Sequence, residues 1–131
     1  MRCLSITLLA TLLITTACKP QLTSIDIVQD TTPPTEHSVS AEGITLTHGA
    51  AIAITLAAID EEGERHPKVD LGDAGPLDGS RTYINADASK HEFETGKQFI
   101  LRANRIGASE FLVTAPFTKG ELVIPYEVIA P

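Results

Sequence analysis

Between Ala51 and Ile59 the chain reads AIAITLAAI, with Ile52, Ile54, Leu56 and Ala58 on one side and Ala53, Thr55 and Ala57 on the other. A spacing of two is the geometry of a β-strand, in which successive side chains point to opposite faces. Both faces are apolar, which predicts a central strand covered on both sides. The same spacing recurs at Phe99, Leu101 and Ala103, at Phe111, Val113 and Ala115, and at Leu122, Ile124, Tyr126 and Val128. No segment after Lys19 carries helical spacing, and turn formers interrupt the chain at intervals of roughly 8–12 residues. That combination predicts an all-β sandwich or barrel.

Further strands are expected at Ser24–Val28, Ile44–Thr47, Lys68–Leu71 and Arg81–Asn85. Asp30–Ser40 is polar and contains Pro33–Pro34, so it reads as a loop. The last three strands read as successive antiparallel neighbours joined by short loops. Pro125 cannot donate to a ladder, which predicts an edge or bulged position for the final strand.

The N-terminus carries a different signal. Arg2 is followed by the uncharged stretch LSITLLATLLITTA, from Leu4 to Ala17. It is shorter than the roughly 20 residues that cross a bilayer. It matches the charged and apolar regions of a secretory signal. With Thr15–Thr16–Ala17–Cys18 closing the run, this segment resembles the lipobox of bacterial lipoproteins, although Thr15 stands where Leu is usual. The resemblance implies cleavage of residues 1–17 and a thioether-linked diacylglycerol, with a further acyl chain, on Cys18. Each buried methylene contributes about 0.8 kcal/mol, so two or more chains anchor a protein durably without a transmembrane helix. Lys19 follows the cysteine; by the same resemblance it favours the outer membrane. The alternatives are an ordinary signal peptide cut at or after Ala17, with plain secretion, or an uncleaved anchor.

Cleavage would leave residues 18–131, enough for one domain: a short lipid tether over 18–23 and a folded unit over 24–131. Lys19 to Thr23 reach at most about 17 Å. The domain would therefore stand close to its membrane. Loss of Arg2 leaves nine cationic against 17 acidic side chains, and there is no basic cluster. Such a surface argues against nucleic acid as a partner. Cys3 would depart with the signal and Cys18 would be consumed by lipid. The mature domain would then hold no thiol for a disulfide, a zinc site or a nucleophile.

From Leu22 onward the order of features resembles bacterial immunoglobulin-like domains of the group 2 type. The matching pieces are Ser24–Val28, Ala51–Ile59 followed by Asp60–Glu61–Glu62–Gly63, Ala103-x-x-x-Gly107–Ala108 leading into Phe111–Val113, and a terminal strand ending at Val128. The Trp often present in those domains is missing, since the chain contains none. The resemblance implies an immunoglobulin-like antiparallel β-sandwich with an adhesion, spacing or accessory role, and it implies no catalytic residues. No G-x-S-x-G elbow is present, and Ser80 lies outside a strand-turn-helix context. The chain therefore reads as a non-catalytic, lipid-anchored envelope module that binds an envelope protein or a polysaccharide, facing the periplasm or the cell surface. No cofactor is expected beyond the lipid on Cys18.

Two features carry other chemistry. Asp60, Glu62, Asp70, Asp73 and Asp78 lie in an acidic stretch, and carboxylates on sandwich loops supply the six to eight oxygens that calcium takes. This makes a calcium- or small-ligand-binding lipoprotein the alternative function. The plainer reading is a solvated turn and a polar loop, because the D-x-D-x-D spacing of an EF-hand is lacking. Phe117 falls at an expected hairpin tip between Pro116 and Thr118, where an exposed aromatic can anchor a partner. The plainer reading folds it back over the end of the sandwich.

Overall fold

The computed structural model describes residues 18–31, 37–73 and 83–131. Ten strands build two facing sheets: β1 (Leu22–Gln29), β2 (Ser38–Ser40), β3 (Gly43–Thr47), β4 (Ala51–Asp60), β5 (Arg65–His66), β6 (Asp70–Asp73), β7 (Ile84–Phe93), β8 (Gly96–Ala103), β9 (Gly107–Thr114) and β10 (Leu122–Ile129). One sheet runs β1-β4-β8-β7, with β5 on the end of β4. The other runs β2-β3-β10-β9-β6. A sheet whose four main strands run β1-β4-β8-β7, facing one that carries the last two strands of the chain, is an arrangement found in immunoglobulin-like sandwiches.

β4 is the central strand its composition demands. It pairs β1 along one edge, from Leu22↔Asp60 to Gln29↔Ile54. Its other edge is shared by β8 (Ala51↔Arg102 to Leu56↔Lys97) and β5. Ile52, Ile54 and Leu56 face inward and are buried, while Ala53, Thr55 and Ala57 on the outer face are buried too. The inward residues of β8, β9 and β10 meet them from both sheets: Phe99, Leu101, Phe111, Val113, Ile124 and Val128 all join one core. Phe111 and Tyr126 touch at a centroid separation of 4.5 Å. With no disulfide within residues 22–131, this interleaved burial is the main stabilising contribution.

Several expectations are corrected. β8 is not a neighbour of β9; it pairs β4 and β7, and the chain changes sheet between Ala103 and Gly107. The N–H groups of Asn104 and Arg105 donate to the Tyr83 carbonyl (2.9 and 3.2 Å) instead of closing a hairpin. β10 is not an edge strand but lies between β9 and β3. It tolerates Pro125 because its register with β3 begins one residue later, at Tyr126↔Ile44. That pairing is parallel, so the sandwich is not wholly antiparallel: after β1 the chain crosses to the second sheet and β3 enters it running in the direction of β10. The 30–40 loop contains β2, which pairs β3 antiparallel. The strand expected near Lys68–Leu71 is Asp70–Asp73, and that expected at Arg81–Asn85 runs Ile84–Phe93. Residues 81 and 82 lie outside the described residues.

Candidate functional site

The N-terminal end of β1 gathers most of the residues singled out in the sequence. Leu22, Asp60, Gly96 and Leu122 all begin or close strands there, so the turns beyond them share one end of the sandwich. The chain is fixed at this end earlier than the sequence suggests. Lys119 donates its N–H to the Pro20 carbonyl (3.0 Å), and Leu22 donates to the Lys119 carbonyl (3.1 Å). Glu61 donates its N–H to the Gln21 carbonyl (2.9 Å). Pro20 and Gln21 are thus clasped between the turn after β4 and the loop before β10. Of the tether expected over 18–23, only Cys18 and Lys19 precede the clasp, and both are exposed.

Cys18 is disulfide-bonded in the structure. The chain has one other cysteine, Cys3, which lies outside the described residues, as does the rest of the expected signal segment. A disulfide and a thioether are competing uses of the same sulfur.

The turn Asp60–Glu61–Glu62–Gly63 is organised by one carboxylate. Gly63 donates its N–H to the Asp60 carbonyl (3.0 Å) and adopts φ +81°, a conformation that glycine takes without steric cost. Asp60 Oδ1 accepts the N–H groups of Glu62 (2.8 Å) and Glu64 (3.0 Å). Its Oδ2 lies 2.8 Å from His66 Nε2. The His66 hydrogen bond, assisted by the two backbone N–H groups, holds the Asp60 carboxyl below its ordinary range against the opposing effect of burial. The Asp and Gly of the family-like D-x-x-G step thus have a local cause.

The four described carboxylates of the expected cation set, Asp60, Glu62, Asp70 and Asp73, do not form one cluster. Asp60 closes β4 in the first sheet, whereas Asp70 and Asp73 lie on β6 in the second. Glu62 is exposed on the turn, and Asp78 lies outside the described residues. Asp73 accepts from the Tyr126 hydroxyl (2.8 Å). Burial, with Asp73 close by, pushes the Tyr126 hydroxyl up to about 12. Among the described residues, the group whose ligand atoms come within 4.8 Å of one another is Asp60, Glu64 and His66. Both Asp60 oxygens in it already serve the turn. His66 was invisible as a partner in the sequence, because no pairwise spacing tied it to Asp60.

Phe117 occupies the loop between β9 and β10. It is 84% exposed and does not fold back over the sandwich. Its backbone has φ +63°, where a bulky side chain is rare. Thr118 Oγ1 donates to the Ala115 carbonyl (2.7 Å), which closes the loop beneath it.

No protein-family model matches the chain, and no curated protein matches it. Solved structures do. Domains 4 and 5 of the S-layer protein SbsC superpose with a TM-score of 0.51 at 13% identity, over 80% of this chain and 54% of that one. Domains 1–6 of the surface layer protein SbsC give 0.53 at 13% identity, over 86% of this chain and 14% of that one. This chain therefore spans about half or less of the structures it resembles. The likeness places its fold among immunoglobulin-like β-sandwiches.

Proposed function

We propose that the mature protein is a non-catalytic envelope module, anchored by a diacylglycerol and an acyl chain on Cys18, that holds an immunoglobulin-like sandwich against its membrane and presents it to an envelope protein or polysaccharide. The observation that carries this is the clasp on Pro20 and Gln21. It leaves only Lys19 between the clasped Pro20 and the cysteine that the lipobox-like sequence marks for lipid. The thioether requires Cys18 to be a free thiol, not joined to Cys3, when the lipid is added; removal of residues 1–17 then leaves Cys18 as the one cysteine of residues 18–131. The sandwich fold shared with the S-layer protein SbsC domains supports an extracytoplasmic setting. Lys19 supports the outer membrane by the sorting pattern of the lipoproteins it resembles.

The test is the intact mass of the protein recovered from membranes, together with detergent-phase partition of the wild type and Cys18→Ser. The expected mass is that of residues 18–131 plus a diacylglycerol and an acyl chain, and the variant leaves the detergent phase. A mature mass without lipid, or a Cys18→Ser variant that still partitions with membranes, overturns the anchor. Crosslinking in intact cells then identifies the partner, and recovery of one abundant species only with the anchored form is the expected result.

A further inference from the structure

We infer that Phe117 inserts into the lipid surface beside the Cys18 anchor, a second point of contact that fixes the orientation of the sandwich on its membrane. The inference rests on the proposed anchor but adds a site that the anchor does not require. Three observations support it.

The first is position. Cys18 lies two residues before Pro20, Phe117 lies two residues before Lys119, and Pro20 and Lys119 are joined by a 3.0 Å hydrogen bond. Two residues extend at most about 7 Å, so, with the side chains added, the lipid-bearing sulfur and the Phe117 ring lie within about 30 Å of each other. Lipid chains on Cys18 would bring the membrane surface to this end of the molecule. The headgroup layer on each side of the hydrocarbon is only about 5–8 Å deep.

The second is exposure. Phe117 is 84% exposed, the highest value among the large apolar side chains described. The other exposed aromatic, Phe93, is 47% exposed and closes β7 at the same end, where Arg65 Nη1 donates to the Thr95 carbonyl beside it (2.9 Å). At the opposite end the exposed apolar residues are the aliphatic Val28 and Ile106. Aromatic rings on the membrane side of a protein exchange water for the acyl boundary, which favours contact.

The third is the backbone. A bulky residue held at φ +63° is costly, and such outliers persist where the position serves a function. Gly120, three residues on, takes φ +83° with the residue suited to it. Glu61, Glu62, Glu64 and Glu121 lie in the turns at this end together with Lys19, Arg65 and Lys119, a rim of mixed charge, so the surface that fits is zwitterionic lipid.

The chain contains no Trp, so a single introduced tryptophan reports its own surroundings. Phe117→Trp and, at the opposite end, Ile106→Trp would be expressed in the producing bacterium, recovered from membranes and reconstituted into phosphatidylethanolamine–phosphatidylcholine vesicles with or without brominated acyl chains. The expected result is blue-shifted emission at 117 that loses intensity in brominated vesicles, with emission at 106 unchanged. Equal quenching at both positions, or none at 117, overturns the contact. A photoreactive side chain at 117 that crosslinks to protein and not to lipid overturns it in favour of a protein partner. The intact mass of the same preparation reads the anchor separately. Lipid on Cys18 without quenching at 117 removes the contact and leaves the anchor. Quenching at 117 without lipid on Cys18 removes the anchor and leaves the contact. Neither signal removes both.

Discussion

At the Cys18 end of the sandwich a buried carboxylate ties the turn together, whereas at the opposite end backbone bonds and a ring packed on a glycine close the loops. The Cys18 end is organised around the buried Asp60 carboxylate, which accepts from Glu62, Glu64 and His66. The far end is closed by backbone bonds, His48 to the Ile129 carbonyl (2.9 Å) and Gly49 to the Ala103 carbonyl (2.8 Å), and by the Tyr83 ring lying over Gly107. The difference teaches where each end is vulnerable. A closure built on a carboxylate responds to pH, and one built on a ring against a glycine responds to volume.

The largest expected effect therefore falls at the far end. A Cβ on Gly107 would overlap the Tyr83 ring, and its φ of +152° disfavours any other residue. Gly107→Ala should cost about 3 kcal/mol, the upper range for overpacking, together with a backbone penalty. Urea unfolding would measure it. A loss under about 0.5 kcal/mol would mean that Tyr83 can swing aside and that packing does not close this end.

At the Cys18 end the expected lever is protons. The His66 hydrogen bond and the turn N–H groups hold the Asp60 carboxyl below its ordinary value of 3.8. The folded state thus binds this proton more weakly than the unfolded chain does. The stability it supplies is complete above about pH 4 and is lost as pH falls through the lowered folded value. Asp60→Asn should lower the melting temperature at pH 7 and remove this part of the acid loss. Parallel melting curves for wild type and variant between pH 5 and 2 would remove Asp60 from that role.

Tyr126 gives the opposite sign nearer the far end, where it pairs Ser109 and bonds to Asp73. Its hydroxyl is pushed up to about 12 from 10, first by burial and then by Asp73. Stability linked to it is complete below pH 10 and is lost as pH rises from 10 through 12. Tyr126→Phe keeps the contact with Phe111 and loses one hydrogen bond, so the expected cost at pH 7 is about 1 kcal/mol. Above pH 10 the variant should become the more resistant protein. If wild type and variant lose stability in parallel there, the comparison between an acid-sensitive and an alkali-sensitive end fails.

What the sequence revealed follows the same physics. β4, β8 and β10 were legible because their inward residues are large and regularly spaced. β7 was not, because an edge strand carries little apolar load: its inward positions begin Ile84, Ala86 and Ala88, and a register shift follows between Ala88 and Glu92. The parallel pairing of β3 with β10 joins residues some eighty positions apart, and nothing local encodes it. The switch of sheet after β8 imitates a hairpin in sequence, since the Asn104–Ile106 connection is short. At the candidate site, Phe117 stood out as an aromatic among turn formers. The clasp on Pro20 and the Asp60–His66 pair depend on contacts between backbone and side chains that carry no pattern.

The smallest effect tests Phe117 against the rest of its own end. Asp60 and Gly63 suit their conformations, and Gly120 does too, whereas Phe117 opposes its own. A left-handed backbone costs a non-glycine residue roughly 1–2 kcal/mol, and Asn tolerates it best among the others. With 84% of the side chain exposed, little burial is forfeited on replacing it. Phe117→Asn should therefore unfold at equal or higher urea concentration than wild type, by up to about 1 kcal/mol. A loss of more than about 1 kcal/mol would mean that the ring packs on the fold in solution, since burying a Phe fully is worth about 1.5–3 kcal/mol. A gain would mean that the chain keeps a residue its fold disfavours, in the loop that bonds Pro20, for something outside the fold.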